Sequence, residues 1–119
     1  MAYLSGGQRQ KAYLAMALAQ DTDVILMDEP TTFLDIKNQF ELMDRAQILA
    51  DEGKTIIMIL HDFDTVLHYA DHVILMAQGQ VLSAGNAREV LGSEDAKRAF
   101  GVTPCFFETD DGLHCFARP

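Results

Sequence analysis

Two acidic residues stand side by side at Asp28-Glu29, directly behind the apolar run Val24-Ile25-Leu26-Met27 and directly ahead of Pro30. A short unbroken apolar run suits a strand buried on both faces of a parallel sheet. Pro30 cannot continue a central strand, so the carboxylates belong at the strand's C-terminal tip. Open α/β sheets place their ligands at such tips. Adjacent carboxylates repel unless a cation compensates, and Mg²⁺ takes hard oxygen ligands. Asp28 can hold such an ion through water. Glu29 can accept a proton from an attacking water, a role worth about 10²–10⁴ in rate. Taken alone, the pair fits a solvated acidic turn ahead of a proline equally well.

Two further groups carry chemistry. Ser5-Gly6-Gly7-Gln8 has the spacing of a capping box, Ser5 at the N-cap and Gln8 three residues on. The glycines leave backbone N–H groups bare at the end of a helix that attracts phosphate. Taken alone, a capped helix with a flexible start explains these residues better. His61 follows a second apolar run, Thr55 to Leu60. It can contact a terminal phosphate or orient a water, although by itself a capping histidine is the simpler account.

The elements that must position these residues follow from the same pattern. A helix runs from Ser5 through the small-residue stretch Ala12–Gln20 and breaks at Asp21-Thr22-Asp23. A loop, Thr31–Asp35, leads to a helix over Ile36–Asp51 that Gly53 can end. A short helix after Asp62 places Phe63, Val66, Leu67 and Ala70 on one face. His72–Met76 and Gln80–Ser83, separated by Ala77-Gln78-Gly79, form a hairpin signal. Short helices fit Asn86–Leu91 and Ser93–Phe100. The tail, Cys105–Phe116 around Asp110-Asp111-Gly112, reads as a second hairpin. Strands alternating with helices indicate an α/β fold with parallel strands.

Order and spacing join the three groups. Leu4-Ser5-Gly6-Gly7-Gln8, a helix, a strand ending Asp28-Glu29-Pro30, the loop Thr32-Phe33-Leu34-Asp35 and a strand ending at His61 together resemble the ABC ATPase family. Leu4–Gln8 resembles its signature motif, Val24–Glu29 its Walker B strand, Thr32–Asp35 its D-loop and His61 its H-loop. The likeness covers roughly residues 1–101. Ala17–Asp23, Asp28–Ile36 and Phe100-Gly101-Val102 resemble importers of the iron–siderophore and vitamin B12 type.

The resemblance implies a single partial P-loop NTPase domain over 1–119. Residues 1–20 are the signature helix, 21–101 the Walker B to H-loop region with its hairpin and helices, and 102–119 the tail hairpin. It implies the C-terminal half of an ATP-hydrolysing importer subunit, with ATP and Mg²⁺ as cofactors of the intact protein. By likeness, Asp28 helps hold Mg²⁺, Glu29 polarises the hydrolytic water and His61 contacts the γ-phosphate. Ser5, Gly6, Gly7 and Gln8 serve the nucleotide of an opposite subunit, and Asp35 communicates across that dimer interface. The implied partners are a second ATPase subunit and a membrane permease. The implied location is cytoplasmic, peripheral to the inner membrane through that permease.

The family's G-x-x-x-x-G-K-[ST] P-loop, which belongs upstream of Leu4, does not occur in these 119 residues. Neither do its Q-loop and adenine-stacking aromatic. Gly53-Lys54-Thr55 is a decoy: the required first glycine falls at Ile48, and the triplet ends a helix rather than opening one. The chain by itself is therefore expected to bind ATP weakly or not at all, and a catalytically inactive truncated fragment is the alternative reading. Without the P-loop strand, apolar strand edges stay open, and non-native association or altered docking of His72–Ser83 is expected.

Composition narrows the partners. The formal net charge of −9 disfavours nucleic acid, whose phosphates need Lys and Arg, and disfavours anionic lipid. A soluble family member working in DNA repair or translation fits that charge poorly. No apolar run approaches the ~20 residues of a membrane helix. Met1-Ala2-Tyr3-Leu4 lacks the charged start of a signal peptide, so none is expected. Cys105 and Cys115 read as reduced thiols rather than a disulfide. His68 and His72 share an i, i+4 spacing, but Asp71-His72 reads as a strand start. Cys105, His114 and Cys115 fit no tetrahedral zinc spacing. Met16, Met27, Met43, Met58 and Met76 fall mostly in apolar runs and read as core.

Overall fold

Ser5 and Gln8 close the capping box that their spacing predicts, and helix α1 (Gly6–Ala19) follows. The computed structural model describes residues 5–119. Leu4, the first signature residue, and the Met1–Leu4 stretch read for a leader lie outside the described residues. After the break at Asp21, strand β1 (Val24–Asp28) pairs in parallel with β2 (Thr55–Ile59), in register from Val24↔Thr55 to Asp28↔Ile59. Helix α2 (Ile36–Asp51) crosses between them.

The connection out of α2 gives the Gly-Lys-Thr triplet a helix-ending geometry, not that of a loop opening a helix. Gly53 sits at φ 101°, a left-handed conformation that ends the helix at no steric cost. Lys54 donates to Leu49 O through its amide at 3.0 Å, and Thr55 is already strand. The Lys54 ammonium is occupied by Asp21 Oδ1 at 3.1 Å and Thr22 O at 2.9 Å.

The expectation that β1 is buried on both faces is overturned. Ile25 is buried, whereas Leu26 is 72% exposed. Among the described residues this ladder has two strands only, and α2 packs against it. The parallel register puts Val24, Leu26, Ile57 and Ile59 on one face, and all four are exposed. Helix α1 likewise buries none of its residues. The methionine expectation holds only in part: Met43 is buried and Met27 and Met58 are half-buried, but Met16 and Met76 are exposed.

The chain divides into two compact units between Leu60 and His61. The second unit follows the sequence reading closely. Asp62 caps helix α3 (Phe63–Tyr69). Strands β3 (Val73–Ala77) and β4 (Gln80–Gly85) form an antiparallel hairpin. Its turn residues Gln78 and Gly79 both have positive φ, 50° and 75°, as a type I′ turn requires. Asn86 caps α4 (Ala87–Leu91), and Ser93 caps α5 (Glu94–Phe100), which ends at the left-handed Gly101. Strands β5 (Thr103–Thr109) and β6 (Gly112–Arg118) pair around Asp110-Asp111. Phe63, Ala87, Leu91 and Cys115 form one core cluster, and Leu75, Val90 and Ala96 another. Both cysteines are free thiols.

Four adjacent apolar side chains on a bare sheet face mark an association surface. The purified chain should therefore elute above monomer mass in size-exclusion chromatography with light scattering. Leu26→Lys together with Ile57→Lys should shift it towards monomer. A wild-type chain that stays monodisperse and monomeric at high concentration contradicts this.

Candidate functional site

The register of β1 on β2 fixes where the acids fall. Asp28 is the last residue of β1, opposite Ile59. Glu29 extends the ladder by one bond, its amide donating to Ile59 O at 3.1 Å. The chain then turns sharply, because Glu29 adopts φ 46°. A left-handed conformation at a non-glycine residue costs on the order of 1–3 kcal/mol and persists only where its surroundings fix it. Here they do: Thr32 N donates back to Glu29 O at 3.3 Å, and Pro30 is buried. Asp28, Glu29, Thr32 and Phe33, with Gln10 of α1, line an open cleft at this tip.

The start of α1 belongs to the same unit. Gln8 N donates to Ser5 Oγ at 3.1 Å, and Ser5 N donates to Gln8 Oε1 at 3.0 Å. These two side chains are thus engaged in holding the helix start. The amides of Gly6 and Gly7 are among those a helix leaves without an intrahelical acceptor. The glycines also admit the neighbouring loop. A Cβ at Gly6 would lie 3.2 Å from Phe33 Cβ, and one at Gly7 would lie 3.5 Å from Leu34 Cδ2. The signature glycines and the Thr32–Asp35 loop are therefore in direct contact, which the sequence did not reveal.

Asp35 caps α2. Its Oδ1 accepts from Asn38 N and from Asn38 Nδ2, both at 2.8 Å. The Asn38 amide bond is the main reason its carboxyl lies below the usual range, with Lys11 and Lys37 adding to it. Sequence reasoning missed Gln39, which pins the loop from the first turns of α2. Its Nε2 donates to Leu34 O at 3.0 Å and to Thr31 O at 3.3 Å. The one available signal was a glutamine four residues beyond the capping aspartate.

In the second unit His61 is exposed and lines an open cleft with Asp62, Phe63, Phe107 and Phe116. Asp62 accepts from Thr65 N at 2.9 Å and from the Thr65 hydroxyl, fixing the start of α3 immediately after His61. His68 does not join His72. It meets His114 of β6 instead, ring centroids 4.7 Å apart. Asp64 stands with them, its carboxylate 3.2 and 3.3 Å from His114 Nδ1 and accepting from Cys115 N at 2.9 Å. Partial burial pushes the Asp64 carboxyl up. The Cys115 amide, the His114 bond and the two imidazoles outweigh that and hold it below its usual value. Cys105, His114 and Cys115 do not converge: Cys115 is buried in the core, and Cys105 Sγ accepts from Arg118 Nε at 3.2 Å.

The chain and its fold have known relatives. A family profile described as ABC transporter matches residues 1–32. The achromobactin transport ATP-binding protein of Dickeya dadantii is 46% identical over 112 residues, 93% of this chain and 41% of the relative. The ferric enterobactin transport ATP-binding protein of Escherichia coli is 40% identical over 100 residues, 83% of this chain and 37% of the relative. Among solved structures, an inward-facing metal-chelate type ABC transporter superposes with TM-score 0.83 at 26% identity, covering 99% of this chain and 49% of that one. A dimeric ATP-binding cassette in a post-hydrolysis state with ADP and Pi gives TM-score 0.65 at 32% identity, over 72% of this chain and 37% of that one. The fold is part of an ABC ATPase domain of the P-loop NTPase class, and the chain belongs to the ABC transporter ATP-binding family. Within that family it resembles the subunits of siderophore and iron import. It spans about two fifths of the length of the curated relatives it matches.

Gln39 gives a direct check on the loop. Gln39→Ala removes two hydrogen bonds, each worth about 0.5–1.5 kcal/mol. Amide exchange at Thr32 and Leu34 should accelerate at least about twofold by mass spectrometry, with the β1–β2 amides unchanged. Unchanged exchange across residues 31–35 contradicts the assignment.

Proposed function

We propose that this chain supplies the signature loop, the strand-tip acids and the switch histidine of an ATPase subunit that drives uptake of iron–siderophore complexes through a membrane permease. The observation that carries this reading is the strand tip. Asp28 and Glu29 stand at the carboxyl end of a parallel strand, Glu29 in a strained turn locked to Ile59, beside the loop that packs on Gly6 and Gly7. The siderophore cargo rests on the names of the relatives, since nothing in an ATPase subunit of this kind need touch the cargo.

The donor set fits Mg²⁺: two adjacent exposed carboxylates and the Thr32 side chain offer hard oxygens around one open cleft. When bound, the ion neutralises charge developing on the transferred phosphoryl group. Asp28 is the residue that would hold it. Glu29, aimed by its fixed backbone, would accept a proton from the attacking water. His61 would contact the γ-phosphate. Ser5 positions α1 so that the bare Gly6 and Gly7 amides face a nucleotide held by a second ATPase subunit. Asp35, as the cap of α2, would couple that interface to the loop carrying Phe33. No described helix is long and apolar enough to cross a membrane, so attachment to the inner membrane would run through the permease.

A second reading concerns the chain acting by itself. These residues contain no G-x-x-x-x-G-K-[ST] cradle, so Asp28, Glu29 and His61 serve a nucleotide that this chain does not hold. The 119-residue chain should show no ATP turnover in a coupled assay and no tight ATP binding by calorimetry. In a complete protein carrying this segment behind a P-loop, Glu29→Gln should lower turnover about 10²–10⁴-fold. Turnover by the chain alone that disappears in Glu29→Gln would overturn the second reading. Turnover of the complete protein that survives Glu29→Gln would overturn the first.

A further inference from the structure

Asp64 and His68 lie one helical turn apart on α3, so their side chains share a face. Strand β6 lays His114 across that face from 50 residues further along the chain. One ligand-type atom from each of the three lies within 4.8 Å of the others. We infer that Asp64, His68 and His114 form a binding site for a divalent transition-metal ion of the Zn²⁺ class, separate from the nucleotide machinery.

Spacing supports this. A tetrahedral ion with bonds of about 2.0–2.2 Å holds its ligand atoms about 3.3–3.6 Å apart. Asp64 Oδ1 lies 3.2 Å from His114 Nδ1 and 3.6 Å from His68 Nδ1. The third edge of the triangle is no longer than 4.8 Å and closes by a rotamer change of His68, which is exposed and would give up its Nδ1 contact with Asp64 O at 2.9 Å. Orientation supports it too. The Cys115 amide, at 2.9 Å, fixes the Asp64 carboxylate. The far nitrogen of His114, Nε2, has Asp111 Oδ1 at 3.6 Å. A carboxylate that closes to hydrogen-bond distance behind a ligating imidazole sets its tautomer and raises its basicity, and the exposed Asp111 is placed to do so. Two imidazoles and one carboxylate select Zn²⁺, Ni²⁺ or Cu²⁺ over Mg²⁺ or Ca²⁺. Three protein ligands leave a fourth position for water.

The competing account needs no ion. A protonated imidazole bridges to Asp64, with His68 Nδ1 also 2.9 Å from Asp64 O. The two accounts differ in what the site does with metal. An ion would clamp β6 to α3, whereas a proton-bridged clasp would ignore added metal.

The test is calorimetry on the chelator-treated chain with ZnCl₂ and NiCl₂, with MgCl₂ as the hard-cation control. One Zn²⁺ per chain should bind at micromolar affinity and raise the melting midpoint by several degrees, and excess Mg²⁺ should not displace it. His68→Ala, an exposed position whose loss leaves the fold intact, should weaken Zn²⁺ binding at least about tenfold. His114→Gln should do the same, and Cys105→Ser should leave binding unchanged. Absence of stoichiometric Zn²⁺ binding overturns the inference. So does binding that persists in both histidine variants, or binding that depends on Cys105.

Discussion

The parallel pairing of β1 with β2 is the constraint on which the catalytic geometry rests. Parallel strands cannot be joined by a tight turn, so α2 must cross between them. That crossover gives the ladder one covered face and carries the chain from the Asp35 cap back to Lys54. The register ends at Asp28↔Ile59, and one further bond, Glu29 N to Ile59 O, carries the alignment into the turn. A slip of one residue would reverse the faces and move both acids off the tip. The left-handed Glu29 is where the fold holds local strain, and it is also the residue proposed to activate the attacking water.

Several residues carry a structural part and a proposed functional one at once. Ser5 and Gln8 cap α1, Asp35 caps α2 and Asp62 caps α3, each with side-chain oxygens on backbone N–H groups. The same residues, or their immediate neighbours Gly6, Gly7 and His61, belong to the motifs assigned to the nucleotide. The economy is physical. A helix N-terminus is both the point a fold must cap and the point an anion seeks. Substituting a cap thus changes the geometry of a site as well as the stability of a helix, so the two effects need separate readouts.

Much of this was legible in the sequence because the deciding signals are local. The Ser5–Gln8 box, the Asp28-Glu29-Pro30 stop, the helix over 36–51 and the Gln78-Gly79 turn each rest on residues a few positions apart. What failed rests on distant pairing. The apolar run 24–27 reads as buried on both faces, but burial depends on how many layers cover the sheet, and here α2 packs on it while Val24 and Leu26 stay exposed. The contact of Phe33 with Gly6 and the meeting of His114 with Asp64 join positions far apart in the chain, so no spacing rule could find them. The i, i+4 spacing of His68 and His72 gave no hint of the His114 ring that tertiary packing brings to His68.

The proposed function requires that residues 1–61 supply the signature loop, the strand-tip acids and the switch histidine, while the P-loop, Q-loop and adenine-stacking aromatic come from elsewhere. The most direct measurement is ATP turnover of a chimera in which this chain replaces the matching segment of the ferric enterobactin ATP-binding protein of Escherichia coli, a 40% identical relative. The account predicts that the chimera turns over ATP and that Glu29→Gln within it abolishes turnover. A chimera that melts cooperatively yet hydrolyses nothing, or one whose turnover ignores Glu29→Gln, would contradict it.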